Sequence, residues 1–166
     1  MKIGIIGSGN VGSTLGKAWS RLGHEVFFGF RKAEDSHGKR LLADAAATAR
    51  AGLVHEAVKV SDVILLARPW DAAQEAVTTA GDLSGKVLIE ATNPLLPALA
   101  GMSIGTRKSG GELVAQWAKG GRVVKALNTV GFNIMADTKF RQGQVAMFYC
   151  ATMPRRRRRW LGLRRN

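Results

Sequence analysis

Cysteine is nearly absent from this chain, in which Cys150 is the only one. A single thiol cannot form an intramolecular disulfide, and Cys150 belongs to no Cys/His spacing that binds zinc. The sequence therefore excludes a disulfide-stapled scaffold and a zinc-finger fold. We expect the protein to reside in the reducing cytoplasm.

Long apolar runs are missing as well. No stretch reaches the roughly 20 consecutive apolar residues of a membrane-spanning helix. The first ten residues, MKIGIIGSGN, lack the extended apolar region and the small-residue cleavage site of a signal peptide. We therefore expect neither a membrane partner nor a secretory route.

Acidic residues are scarce, with 12 Asp and Glu against 25 Lys and Arg and a formal net charge of +13. The excess is uneven, because residues 151–166 contain seven arginines and no acid, and without them the net charge falls to +6. A mildly basic body suits a small anionic ligand as well as a polymer. We expect no specific nucleic-acid partner.

Short apolar segments alternate with helix-length segments along most of the chain. Strands are predicted at residues 2–6, 24–29, 62–67, 85–91, 122–127 and 144–150, with a short one near Leu53 and Val54. Helices are predicted at 10–23, 38–50, 71–80 and 113–120, the last preceded by a capping-box pattern of Ser109 and Glu112. This alternation predicts a doubly wound, Rossmann-type α/β fold with a parallel sheet. Residues 1–150 would form one such domain, followed by a basic tail at 151–166.

Three glycines follow the first predicted strand and open the first helix, in the spacing Gly7-x-Gly9-x-x-Gly12. In a dinucleotide-binding loop the first glycine permits a tight turn, the second leaves room for the pyrophosphate, and the third packs helix against strand. The pyrophosphate would then contact the backbone around the helix start. The predicted cofactor-binding residues of this loop are Gly7, Ser8, Gly9, Asn10 and Val11. A glycine-rich turn without a ligand is the alternative.

The second strand ends in Arg31 and Lys32, where NAD-binding sites usually have an acid. A guanidinium pairs well with a 2′-phosphate, so these two residues predict a preference for NADP(H) over NAD(H). The alternative is that they are solvated loop charges. Two acids close by in sequence, Glu34 and Asp35, count against the preference for NADP(H).

Several blocks in one order resemble a known family. The blocks are KIGIIGSGNVGSTLG, GFRK, DVILLARPWDAA, EATNPL and VVKALNTVGFNIM, which extend over most of the chain from Met1 to about Cys150. In these the chain resembles the NADPH-dependent reductases of the deazaflavin coenzyme factor 420 and related dinucleotide-binding oxidoreductases.

The resemblance implies where the nicotinamide lies. The segment matching ARPW follows the fourth strand beside the nicotinamide ribose, and the segment matching TNPL follows the next strand. The implied cofactor neighbours are Ala67, Pro69, Trp70, Asn93 and Pro94, with Asn128 and Thr129 as a further wall. Helix-start packing is the alternative role of Trp70, and a simple turn that of Asn93 and Pro94. Two residues depart from the family pattern: Phe30 replaces a small polar residue, and Arg68 an apolar one.

The activity implied by the resemblance is hydride transfer between NADP(H) and a deazaflavin or flavin-like acceptor. Such a transfer occurs directly between stacked rings, so no catalytic acid or base is expected. The intact family is implied to form homodimers. A non-catalytic NADP-binding domain or sensor, whose basic tail binds anions nonspecifically, is the alternative.

The ending ATMPRRRRRWLGLRRN departs abruptly from the family pattern. Relatives commonly continue after an FYC-like strand with Gly-Asp-Asp and an alanine- and glutamate-rich helix. Back-translated with GC-rich codons, the neighbouring frame of this ending can spell GDDAEAKAAVAGLAAE. We therefore expect a frameshift after Cys150, with the C-terminal part of the fold missing and a non-native or disordered tail. A genuine polybasic arm and an unrelated natural terminus are the alternatives, and the gene sequence distinguishes a frameshift from both.

Overall fold

The computed structural model of the chain describes residues 1–32, 36–105, 107–137, 143 and 145–151. Its strands are β1 (Lys2–Ile6), β2 (Glu25–Phe30), β3 (Ala49–Leu53), β4 (Val63–Leu66), β5 (Val87–Glu90), β6 (Arg122–Ala126) and β7 (Tyr149–Ala151). They form one sheet in the order β3-β2-β1-β4-β5-β6-β7. Neighbouring strands from β3 to β6 are parallel, which confirms the predicted fold class.

The winding direction reverses beside β1. The chain proceeds outward from β1 to β3, then returns to place β4 on the other side of β1 and continues to β6. At such a reversal the connections leave β1 and β4 on opposite faces, and a crevice opens at the carboxyl ends of the strands. A ligand site is expected there.

Helices cover both faces of the sheet. The described helices are α1 (Asn10–Arg21), α2 (Ser36–Ala43), α3 (Val54–Val60), α4 (Ala73–Ala80), α5 (Gly110–Trp117) and α6 (Phe132–Ala136). Short 3-10 turns lie at Trp70–Ala72 and Pro97–Leu99. In the part of the chain that the structure describes, no helix has the length and apolar character needed to cross a bilayer.

Two hydrophobic cores lie on opposite sides of the sheet. In β4 every residue is buried, with Val63 and Leu65 in one core and Ile64 and Leu66 in the other. The first core includes Leu15 and Trp19 of α1, and the second includes residues of α3, α4 and α5. Burial on both faces explains why the central strands are continuously apolar rather than alternating.

The predicted helix over residues 38–50 is wrong in its second half. The helix α2 ends at Ala43, and residues from Ala49 onward form β3, paired in parallel with β2. Ala49 and Ala51 pack against the first core from this edge position. Hydrogen bonding to β2 thus overrides the helix propensity of an alanine-rich segment.

The helix α3 was not predicted. It begins at Val54, one of the two residues near which a strand was expected; only the residues up to Leu53 are extended. The carboxylate of Glu56 accepts a hydrogen bond from the backbone N–H of Leu53 at 2.7 Å, which stabilises the helix start. The helix is only 7 residues long, too short for a clear periodic pattern.

The last strand is shorter than predicted and runs in the opposite direction. Residues 145–148 are not extended strand, and β7 pairs antiparallel to β6 with Cys150 opposite Lys125. An antiparallel edge strand on a parallel sheet is common, because a reversing chain needs no crossover helix. Ala151, assigned above to the tail, belongs to this strand. Residues 152–166 lie outside the described residues, so the expectations for the tail stay predictions.

Candidate dinucleotide-binding site

The loop between β1 and α1 lies at the reversal point of the sheet. Gly7 has a φ of 107°, a left-handed conformation that side chains other than glycine rarely adopt. A Cβ built on Gly7 would lie 2.3 Å from the carbonyl oxygen of Ala67, which follows β4. Both the turn and the close approach of the two loops therefore require glycine at this position.

Gly9 and Gly12 have different surroundings. A Cβ built on Gly12 would lie 1.8 Å from the carbonyl oxygen of Gly7, whereas one built on Gly9 would meet no atom within 4 Å. Gly12 is thus required by packing of the helix against the loop. The surface above Gly9 is open to an approaching ligand, as the pyrophosphate hypothesis requires.

The start of α1 offers backbone donors beside this open surface. Gly9 is the N-cap residue and makes no side-chain capping bond. The first N–H groups of a helix have no acceptor within the helix, and the helix dipole makes this end positive. Asn10 is exposed and Val11 half-buried at this start, with the half-buried Ser8 just before them. The arrangement can bind a pyrophosphate.

A cavity of about 340 Å³ opens at the carboxyl ends of β2, β1 and β4. Arg31 contributes to its wall, and its contact with the adenosine end of a cofactor stays a prediction. Lys32 is exposed and is not part of the wall. Glu34 and Asp35 lie outside the described residues. The structure therefore brings Arg31, rather than Lys32, into this cavity, which we name the adenosine cavity.

Arg68 and His55 also line the adenosine cavity. In the sequence, Arg68 stands between Ala67 and Pro69, both of which the family resemblance implies to be neighbours of the nicotinamide. Arg68 and Arg31 line the same cavity because β4 and β2 are both neighbours of β1 in the sheet. The sequence pattern of either strand does not reveal this order.

The segment after β4 contacts the glycine loop and begins the next helical turn. The N–H of Ala67 donates to the carbonyl oxygen of Ile6 at 2.9 Å. Pro69 is the N-cap of the 3-10 turn that starts at Trp70. The ring of Trp70 packs on that of Trp117, with centroids 5.4 Å apart and planes at 37°. These contacts agree with the alternative role of Trp70 in packing, and its contact with the cofactor stays a prediction.

A second cavity, of about 400 Å³, lies beyond the ends of β5 and β6. Asn93, Pro94 and Asn128, all expected near the nicotinamide, contribute to its wall. The Asn93 Nδ2 donates to the Asn128 carbonyl oxygen at 3.2 Å, and the Asn128 Nδ2 donates to Asn93 Oδ1 at 3.3 Å. The structure thus joins the two segments into one wall, and we name this space the acceptor-side cavity.

A buried ion pair lies beneath the acceptor-side cavity. Glu90 is fully buried at the end of β5, and its Oε2 accepts a hydrogen bond from Lys125 Nζ of β6 at 2.7 Å. Lys125 also donates to the carbonyl oxygen of Thr92 at 2.9 Å, and the Thr92 N–H donates to Glu90 Oε1 at 2.8 Å. This ion pair connects the ends of β5 and β6.

The ion pair of Glu90 and Lys125 was not predicted from the sequence. The sequence does contain a sign of this ion pair, since an acid lies in the apolar strand β5 and a base lies inside the apolar strand β6. Glu90 and Lys125 are opposite each other in the parallel register. That register cannot be read from either strand alone.

The capping box predicted for α5 is confirmed at the rim of the same cavity. The N–H of Glu112 donates to Ser109 Oγ at 3.2 Å, and the Ser109 N–H donates to Glu112 Oε2 at 2.7 Å. The hydrogen bonds from the Ser109 backbone and hydroxyl lower the pKa of Glu112 below its ordinary value. Glu112 therefore stays ionised at neutral pH and serves the helix start.

The comparisons with known proteins agree with this architecture. The sequence profile of the family described as NADP oxidoreductase, coenzyme F420-dependent, matches residues 2–94. A solved structure of a proposed F420-dependent NADP-reductase from Arthrobacter sp. FB24 is 26% identical, with a TM-score of 0.87 over 98% of this chain and 79% of that one. A hypothetical protein from Sinorhizobium meliloti is 25% identical, with a TM-score of 0.85 and the same coverage of 98% and 79%.

A more distant structure shares the fold alone. Pyrroline carboxylate reductase of Plasmodium falciparum, solved with NADP bound, is 16% identical, with a TM-score of 0.61 over 98% of this chain and 53% of that one. The family match, by contrast, extends over more than half of the chain and includes the glycine loop, Arg31 and the segment after β4. The chain therefore belongs to the coenzyme F420-dependent NADP oxidoreductase family, whose members are NADP-dependent oxidoreductases.

Proposed function

We propose that this chain transfers a hydride between NADP(H) and a deazaflavin of the coenzyme F420 type. The observation that carries the proposal is the open surface above Gly9, at the start of α1. The adenosine cavity with Arg31 lies on one side of it, and the acceptor-side cavity with Asn93 and Asn128 on the other.

The residues present fit NADP(H). The glycine loop and the N–H groups of the first turn of α1 would hold the pyrophosphate. Arg31 would hold the 2′-phosphate, because its guanidinium donates two parallel hydrogen bonds to phosphate oxygens. Neighbouring strands are about 4.8 Å apart, so the ends of β2 and β5, three spacings apart in this sheet, are about 14 Å from each other. An extended dinucleotide would therefore reach both cavities.

The chemistry asks the protein mainly to position two rings. When bound, the nicotinamide supplies or accepts the hydride. The wall residues Pro94, Met102 and Ile104 are apolar and would exclude water from the acceptor-side cavity, while the hydrogen bonds between Asn93 and Asn128 fix its shape. Glu90 and Lys125 bind each other and are assigned no proton transfer.

The deazaflavin is favoured over other acceptors by the name of the matching family and by that of the Arthrobacter protein. The test is oxidation of NADPH by this chain with oxidised F420 or FMN as acceptor, followed by the absorbance of NADPH. Oxidation with F420, faster than in the absence of the protein, is the expected result. Tight NADPH binding with no turnover on either acceptor would contradict the proposal and favour a non-catalytic NADP-binding protein.

Replacing Arg31 and Lys32 together with glutamine is expected to weaken NADP binding about 10- to 100-fold and to leave NAD binding nearly unchanged. The reason is that the double variant removes the two cations that would contact the 2′-phosphate. NAD has no such phosphate. Isothermal titration calorimetry with both dinucleotides measures the two losses. A matched control is the pair Arg50→Gln and Lys59→Gln, which removes two exposed cations that do not line the cavity. Equal losses for NADP and NAD would refute the assignment.

A further inference from the structure

Arg68 lines the adenosine cavity together with Arg31. The two residues follow β4 and β2, which flank β1 on either side, so the strand ends are about 10 Å apart. Both residues contribute to the wall of the cavity. Strand ends at this spacing leave room for a flat ring beside the Arg68 guanidinium.

The stem of Arg68 lies close to the glycine loop. A Cβ built on Gly7 would be 2.9 Å from Arg68 Cδ, so the side chain crosses the loop on its way to the cavity. The residue as a whole is half-buried. Its position is therefore constrained by the turn that the cofactor site requires.

The guanidinium of Arg68 has no partner among the described residues. Arg68 takes part in no ion pair with another described residue, and it donates no hydrogen bond to the rest of the described chain. Glu75 lines the same cavity without pairing with it. An arginine in a cavity wall that the described residues leave unpaired is available to a ligand.

The remaining wall suits an aromatic base. Phe30, Leu53, Val54, Ala72 and Ala76 contribute apolar surface to the adenosine cavity. A guanidinium is planar and weakly hydrated, so it stacks on aromatic faces more readily than an ammonium does.

We propose that Arg68 holds the adenine ring of the cofactor by stacking its guanidinium on the ring face. The inference rests on the proposed NADP(H) site and adds an adenine-binding residue to it. Arg31 discriminates by the 2′-phosphate, whereas Arg68 recognises the base that NADP and NAD share.

The experiment compares wild type, Arg68→Met and Arg68→Lys by calorimetric titration with NADP, NAD and nicotinamide mononucleotide. Methionine keeps an apolar stem beside Gly7, and lysine keeps the charge without the plane. Arg68→Met is expected to weaken NADP and NAD binding by the same factor, about 5- to 30-fold, with an intermediate loss for Arg68→Lys. Binding of the mononucleotide, which has no adenine, is expected to stay within about twofold of wild type.

The matched control is Arg50→Met, the same change at an exposed arginine of β3 that does not line the cavity. Unchanged affinities in Arg68→Met would overturn the proposal, and so would a loss confined to NADP, which would assign Arg68 to the 2′-phosphate. Equal losses for the mononucleotide would also overturn it, since they indicate damage to the whole site. If the wild-type chain binds neither dinucleotide, the proposed function itself fails, which is a result distinct from these.

Discussion

Gly9→Val is expected to lower the affinity for NADP(H) at least 100-fold, a loss of about 2.7 kcal/mol, while the chain stays folded. The backbone of Gly9 has φ −70° and ψ −166°, an extended conformation that any residue can adopt. A Cβ built on Gly9 would meet no protein atom within 4 Å. Valine would instead occupy the surface where the pyrophosphate approaches the first turn of α1. Calorimetric titration with NADP and thermal unfolding measure the two quantities.

The stability cost of Gly9→Val is expected to be small. Valine is a poorer N-cap than glycine, which lowers the melting temperature by no more than about 4 °C in a chain of this size. Gly12→Ala is the contrasting variant, because its Cβ would lie 1.8 Å from the carbonyl oxygen of Gly7. That change is expected to destabilise the fold by about 3 kcal/mol or more. Unaltered NADP affinity in a folded Gly9→Val chain would remove the basis of the proposed site.

Lys125→Met is expected to lower the free energy of unfolding by about 3–5 kcal/mol. The variant leaves the Glu90 carboxylate fully buried without its cation, and the hydrogen bonds from Thr92 alone do not compensate a buried charge. Urea unfolding at neutral pH measures the change. The double variant Glu90→Gln with Lys125→Met is expected to regain most of the stability, because the glutamine keeps an acceptor for Thr92 and no charge stays buried.

An exposed ion pair with the same nitrogen-to-oxygen distance provides the control for this prediction. Lys17 Nζ and Asp44 Oδ2 are also 2.7 Å apart, but the Asp44 side chain is 64% exposed. Lys17→Met is expected to change the free energy of unfolding by about 1 kcal/mol or less. A similarly small loss for Lys125→Met would show that water reaches Glu90, contrary to the burial seen here.

Local patterns were sufficient for the glycine loop and for the central strands. A strand, a glycine turn and a helix cap are each determined by residues that are close in sequence. The segment from Gly7 to Gly12, which joins β1 to α1, was therefore predicted correctly, and so was the capping box at Ser109. The segment from Ala49 to Val60 was not, because its strand is stabilised by pairing with β2 and its helix is a single short element.

Contacts between distant segments were the part that sequence could not supply. The pairing of Glu90 with Lys125 follows from strand register, and the approach of Arg68 to the adenosine cavity follows from strand order. That Asn93 and Asn128 lie near one site was expected only from the family resemblance. Each of these depends on which strands become neighbours, which is a property of the whole chain.

The close packing around the glycine loop has a kinetic consequence for the proposed cofactor site. The backbone of Ala67 fills the space beside Gly7, and the carbonyl oxygen of Gly7 fills the space beside Gly12, so protein atoms alone leave the loop little room to change its turn conformation. A loop already ordered in this way loses little conformational entropy when a dinucleotide docks. Association therefore requires no slow rearrangement of this segment, and differences in affinity among variants of the site are expected to arise mainly from the rate at which the cofactor dissociates.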